Sequence, residues 1–274
     1  MSPRRILGDH PVPDEFGCHT IAEDGRTNDD TPHRSLTQSQ GDRDATVGQL
    51  RTALIKHHVS DDMVARDRRK INNLRAQGYP VSEEDIHRFP KADKTRKGNL
   101  TEIFLAEYIC SACGAELPVY RLRYNPNVEQ SMKGDDVLAF DFSLKRPRII
   151  VGEAKFRGTP SKQAVQDIVG ALVRSHQAGL PISLQFVADR LYEANETDLA
   201  DRVSNCALHM AKNTLDLNYV GLLLSDTDSK SKVDQYTEGT QRNLVMISLG
   251  VDDPSQLISD CFEGIEEETY ADPE

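Results

Sequence analysis

The chain reads as an α/β fold, and three observations predict it. Apolar runs of strand length stand at 137–142, 148–155, 219–224 and 244–249. Before and between them, apolar residues recur every three or four positions, the spacing that gives a helix one buried face. From residue 98 to residue 187 the segments follow the order helix, strand, strand, strand, helix, strand.

Residues 1–44 are rich in Asp, Gly, Pro, Thr and Ser, with few clustered apolar side chains. That composition predicts a loosely ordered arm. A helical, charged extension over 45–94 comes next. Leu50, Leu54 and Ile55 share one face of its first helix, which starts near Asp44. Ser60 caps its second, through Met63, Val64, Ile71 and Leu74, and Gly78 before Pro80 ends it. The main domain then spans 95–274. It opens on a helix with Leu105, Tyr108 and Ile109 on its apolar face. Strands are expected at 119–124, 137–142 and 148–155. Thr159 and Pro160 suit the N-cap and first position of a long helix carrying Val165, Ile168, Val169, Leu172 and Val173. Gly179 and Pro181 stop that helix, and 182–187 reads as a further strand. Downstream the pattern predicts a helix over 196–212, strands at 219–224 and 244–249, and a terminal helix over 254–266. The polar stretch 226–239 reads as a mobile loop.

Charge narrows the function. The 274 residues carry 33 Lys and Arg against 44 Asp and Glu, a formal net charge of −11. Phosphate contacts supply most non-specific affinity for nucleic acid, so an acidic chain that handles DNA needs local basic surface or a partner. Basic residues do dominate from Arg66 to Lys97, and a solvated helix face is the alternative reading of that run. From Val251 onward the charges are all acidic, and the run 263–268 is either a docking element or a solvated tail. No apolar stretch is long enough to span a bilayer. Gly8-Asp9-His10-Pro11 interrupts what would have to be a signal-peptide core, so the expectation is a cytoplasmic protein. Cys110-Ser111-Ala112-Cys113 has no second ligand pair, which leaves reduced thiols as the default. There is no Gly-rich Lys-Ser/Thr loop for ATP.

The chemistry concentrates in one hairpin. Lys145-Arg146-Pro147 is a polar turn between two apolar runs, which therefore pair antiparallel. Asp136 opens the first run, and Glu153 and Lys155 close the second. Side chains two apart in a strand share a face, so Glu153 and Lys155 point the same way and Asp136 can lie beside them. Two carboxylates suit a hard divalent cation such as Mg²⁺, with Mn²⁺ expected to substitute. Such a cation activates water and neutralises charge on a phosphate, while Lys155 orients the attacking water or stabilises the transition state. An edge-strand ion pair would leave the same residues. Asp135 competes with Asp136 as the ligand, and the Gly-x-Asp placement at the mouth of the strand favours Asp136. Asp141 falls on the opposite face by alternation. Lys133 and Ser131 stand where they could touch a phosphate, as does Arg157 after the second strand. The histidines have no ligand spacing.

The pattern Asp136…Glu153-Ala154-Lys155, at the polar ends of two apolar strands, resembles the PD-(D/E)xK nuclease signature. The predicted order α-β-β-β-α-β matches that restriction-endonuclease-like core, here with a helical N-terminal extension. The resemblance implies that Glu102, on the helix leading into the strands, joins Asp136 and Glu153 at the metal, as does the backbone carbonyl of Ala154. A solvent-facing glutamate would read the same way in sequence. It also implies that Gln163 or Gln166 contacts the DNA backbone or orients the lysine; helix capping or exposure explains them as well. A longer stretch is similar to the HamA family, the nuclease subunit of the bacterial Hachiman antiphage system. It comprises Lys97-Gly98-Asn99-Leu100-Thr101-Glu102-Ile103, Tyr124-Asn125-Pro126-Asn127, Gln130 to Asp136, and Gly152-Glu153-Ala154-Lys155-Phe156-Arg157, within a resemblance over 45–265. That family implies a metal-dependent endonuclease acting on DNA with little sequence preference. It implies as well that a superfamily 2 DNA helicase, HamB, supplies the ATPase and holds the nuclease in check. The alternative is a catalytically weak nuclease-fold module that regulates or docks on such a helicase.

Overall fold

The computed structural model describes residues 2–39, 42–238 and 242–271. Its elements run in the order α1 (Arg4–Leu7), β1 (Thr20–Arg26), β2 (Pro32–Gln38), α2 (Arg43–His58), α3 (Asp61–Ala76) and α4 (Asp93–Cys113). Then come β3 (Val137–Asp141), β4 (Arg148–Phe156), α5 (Lys162–Ala178), α6 (Leu184–Glu193) and α7 (Thr197–Ala211). The chain finishes through β5 (Asp216–Ser225), α8 (Ser229–Tyr236), β6 (Leu244–Gly250), α9 (Pro254–Phe262) and α10 (Ile265–Tyr270). The six strands form one mixed sheet in the order β1-β2-β6-β5-β4-β3. Its interior pairs β2–β6, β6–β5 and β5–β4 are parallel, and the two outer pairs are antiparallel.

Strand alternation builds two cores. Val137, Ala139, Ile150 and Ala154 face the layer holding α4, with Leu100, Ile103 and Phe104. Leu138, Phe140, Ile149 and Val151 face the other layer, with Val165, Ile168 and Leu172 of α5. Strands β4, β5 and β6 are therefore apolar on both faces, as expected of strands buried between helices.

Several expectations need correction. The stretch read as a loosely ordered arm instead contributes α1 and the β1–β2 hairpin, and β2 extends the sheet by pairing with β6. Its polarity misled because the polar groups are buried in pairs. Arg34 donates to Asp24 at 2.6 Å and to the carbonyl of Gly8, and His33 bridges Asp234 and the Ser248 hydroxyl. No strand forms at 119–124. That segment makes a 3₁₀ turn (Arg121–Tyr124), and one isolated bridge, Glu116 with Phe140, stands beside β3. The run 182–187 lies mostly in α6, whose buried Leu184, Val187, Ala188 and Leu191 follow helical spacing. A short apolar run cannot be assigned to strand or helix by periodicity alone. The expected order α-β-β-β-α-β is thus not the observed one, since two strands separate α4 from α5 and three helices separate β4 from β5. Residues 226–238 include α8, anchored by buried Val233. The terminal helix is two helices broken at Gly264, whose φ is +62°. Within the acidic run, Glu268 is paired with Arg51. The cap of α5 is Ser161, which accepts the Ala164 N–H at 3.2 Å, rather than Thr159. Ser60 caps α3 as expected.

The extension docks through a buried histidine. His58 Nδ1–H donates to the Leu54 carbonyl at 2.9 Å, so its neutral Nε2 is left to accept the Asn99 amide of α4 at 3.1 Å. Burial pushes this imidazole down to about 4. Its folded value lies below the ordinary 6.5, so its stability contribution is present above 6.5 and is lost as pH falls towards 4. The full shift is worth roughly 3 kcal/mol. Urea unfolding of wild type should weaken steeply between pH 6.5 and 4.5, and His58→Gln should flatten that slope. Equal slopes would show that another group drives the acid transition.

Candidate functional site

The β3–β4 register pairs Val137 with Gly152, and one step further it places Asp136 across from Glu153. The Asp136 carboxylate extends the ladder by accepting the Ala154 N–H at 2.9 Å. Lys155 Nζ lies 2.5 Å from Glu153 Oε1 and 4.0 Å from Asp136 Oδ2. Asp136 and Glu153 are 13% and 14% exposed, so the three groups form a half-closed cluster at the end of β4. Gly152 permits this packing. A Cβ there would stand 2.8 Å from Val137 and 2.9 Å from Leu105.

Glu102 approaches from α4, and it shares with Asp136 the lining of a cavity of about 30 Å³. Burial, then the neighbouring Asp136, pushes the Glu102 carboxyl up to about 8. Burial and Asp136 likewise raise Glu153 to about 7, against the pull of Lys155. Burial raises Asp136 as well, opposed by Lys155, the Ala154 N–H and Arg121. Three carboxyls therefore crowd one place with too little cationic charge to hold them all ionised.

Arg121 is the residue that sequence reasoning missed. Its guanidinium donates to the backbone carbonyls of Met132, Lys133 and Asp135, and stands 4.0 Å from Asp136. An arginine in a segment read as a strand gave no signal of this. Asp135 plays a different part from Asp136. Its buried carboxylate accepts the Ser183 N–H at 2.9 Å and the Ser175 hydroxyl at 3.4 Å, and its own N–H donates to Ser183 Oγ at 3.0 Å. It ties the loop to α5 and α6. At the loop's other end, Glu129 accepts the N–H groups of Lys91 and Ala92 at the start of α4. Gly134, at φ +122°, makes the turn between them, where a Cβ would meet Ser183 Oγ at 2.6 Å.

The HamA family model matches residues 14–265. A relative, the Hachiman protein HamA of Bacillus cereus, is 35% identical over 258 residues, or 94% of this chain and 93% of that protein. The chain belongs to the HamA family. The HamA match starts upstream of residue 45, so it takes in the β1–β2 hairpin as well as the residues of the cluster.

Lys133 is exposed on the loop. Gln163 donates to Asp167 at 2.7 Å, and Arg157 lies 3.9 Å from the same aspartate. Gln166 is half-buried on α5. Ala154 is buried and spends its N–H on Asp136. Much of the basic run 66–97 is used internally: Arg88 pairs with Asp67 and Lys97 with Asp93. Arg66, Arg69, Lys70, Lys91 and Lys94 remain exposed. Cys110 and Cys113 sit on adjacent turns of α4 as free thiols, and burial pushes Cys110 up to about 12. Neither is a thiolate at neutral pH.

Among the described residues, no three His, Cys, Asp or Glu side chains close into a metal shell. Asp136 and Glu153 nevertheless fit Mg²⁺. The donors are all oxygen, and that ion is commonly held by one or two carboxylates with waters and substrate phosphates filling the rest. The uncompensated charge felt by Glu102 and Glu153 is also what a cation relieves. No helix among the described residues is long and apolar enough to cross a membrane.

Proposed function

We propose that this chain is a Mg²⁺-dependent DNA endonuclease, built on a PD-(D/E)xK-type core and acting in the cytoplasm in antiphage defence. The observation that carries the reading is Asp136, Glu153 and Lys155 gathered at one strand end, where crowding raises the carboxyls. Asp136 and Glu153 would hold the cation, with Glu102 behind them. Bound there, Mg²⁺ supplies a water of lowered pKa and neutralises charge on the scissile phosphate. The Lys155 ammonium, fixed by Glu153, faces the attacked phosphate and opposes its growing negative charge. Water adds to phosphorus and gives up one proton to solvent, the bond to the leaving oxygen breaks, and that oxygen takes up a proton from solvent. Arg121 keeps the loop carbonyls in place so that Asp136 stays across from Glu153. Lys133, Arg157 and Gln166 are the nearby groups for the DNA backbone. Backbone contacts of that kind would carry no base-edge readout, which fits low sequence preference.

The defence role comes from the Hachiman name of the 35% identical relative. An unregulated nuclease of low specificity would damage its host. We therefore include a helicase-type ATPase partner that masks the cluster until it engages DNA. One set of assays tests the whole reading: nicking of supercoiled plasmid by the free chain and by its complex with the partner. Cleavage should need Mg²⁺ or Mn²⁺, stop with chelator, fall in the complex and return with ATP and DNA. If the free wild type with metal is as inert as Glu153→Ala, the chain is a docking module and the nuclease reading fails.

A further inference from the structure

We propose that the cleft beside Glu153 receives a single unpaired nucleobase, so that the site works on DNA that is locally unpaired next to the bond it cuts. This rests on the nuclease reading above. Two cavities border the cluster, and their sizes differ greatly. The one that Glu102 and Asp136 line encloses about 30 Å³. That is room for a water or a bare cation and nothing larger. The other opens between β4, α5 and the loop ending at Asp135, with Glu153 in its wall, and encloses about 370 Å³. Ligand clefts span roughly 300–1,000 Å³, so this one alone admits an organic group.

Its walls decide which group. Val151, Ala171, Leu172 and Ile182 make most of the surface apolar, and Ser175 is already engaged with Asp135. Arg174 lines the rim, exposed, and no hydrogen bond or ion pair holds its guanidinium among the described residues. A nucleobase has flat apolar faces, a polar edge and a phosphate close by, which matches apolar walls below a free arginine. Inside a duplex those faces are stacked and that edge is paired. A base reaches such a cleft only by leaving the stack, which costs least where it is already unpaired. Ile182 is 69% exposed and Leu180 44% exposed on the connection between α5 and α6. A lone exposed apolar side chain is ordinary. Two within three residues, with Ile182 in the cleft wall, suit insertion between base steps.

The test measures binding of the full chain to two labelled duplexes in chelator, with Lys155→Ala protein, also in chelator, as a second form. One duplex is fully paired, and the other carries a single unpaired 2-aminopurine whose emission reports unstacking. The unpaired duplex should bind about tenfold tighter, with a change in emission. Arg174→Ala and Ile182→Ser, both at exposed positions, should each bring the preference to within about twofold. Equal affinity for the two duplexes, or a preference that survives both substitutions, overturns the proposal. Plasmid nicking read in parallel separates the two readings. Cleavage without the preference overturns the cleft alone, and the preference without cleavage upholds the cleft while overturning the nuclease.

Discussion

Lys155→Ala protein will nick supercoiled plasmid at least about a hundredfold more slowly than wild type, a typical cost of removing one group that stabilises developing charge. Glu153→Gln will lose as much, because an amide is a poor ligand for a hard cation. The two should part company in stability. Lys155 is the cation paired with Glu153 and stands as close to Asp136 as Arg121 does, so its removal leaves the carboxyls of a half-closed site with Arg121 alone to offset them. Glu153 is itself held unfavourably, raised to about 7 by burial and Asp136. Replacing it with a neutral isostere relieves that crowding, and Glu153→Gln should melt no lower than wild type. Functional sites commonly hold such strain at the expense of stability. Wild-type melting should rise on adding Mg²⁺ or Mn²⁺, and Glu153→Gln should show little of that rise. Plasmid nicking and thermal melts with and without metal decide the matter. Near-normal nicking by either variant would remove its residue from the mechanism.

Asp135→Ala should be the most destabilising single change at the site, by roughly 3 kcal/mol, since hydrogen bonds to a charged group are worth about 1.5–3 and buried donors are left unpaired. The Ser183 N–H and the Ser175 hydroxyl both lose their acceptor. Asp136→Ala orphans the Ala154 N–H alone, and should cost only about 1–2 kcal/mol. Cleavage should rank the other way. Asp136→Ala abolishes it, whereas folded Asp135→Ala keeps a remnant, lowered because the loop presenting Asp136 is no longer tied to α6. Urea unfolding together with nicking reads out this crossed pattern. Asp135→Ala protein as stable as wild type would show that the Ser183 tie carries no load.

Much of the site was legible in sequence because its geometry is local. The turn at Lys145-Arg146-Pro147 separates two apolar runs, and alternation then puts Glu153 and Lys155 on one face with Asp136 opposite. Helices capped by short-range signals were equally readable, as Ser60 and the break at Gly78 show. Arg121 was not readable. Its partners are loop carbonyls eleven to fourteen residues away, brought back only by the turn it makes. Asp135 and Asp136 are neighbours of identical type, and what distinguishes them is that Ser183 and Ser175 meet the first and Ala154 the second.

By itself the sequence determined the α/β class, the β3–β4 hairpin, the face shared by Glu153 and Lys155, and the kinship with the HamA family. Those depend on residue type and on spacings of two to four, which short-range sterics and burial translate directly into structure. Tertiary structure alone decided that β1 and β2 join the sheet. The partner of β2 is β6, near the far end of the chain, and the polar side chain of His33 can be buried only because Asp234 and Ser248 are delivered to it. It likewise decided that 182–187 is mostly helical, since only the packing of Leu184, Val187 and Leu191 against the core separates a buried helix turn from a strand. Long-range pairing leaves no periodic trace in the local sequence, and it is long-range pairing that sets the strand order.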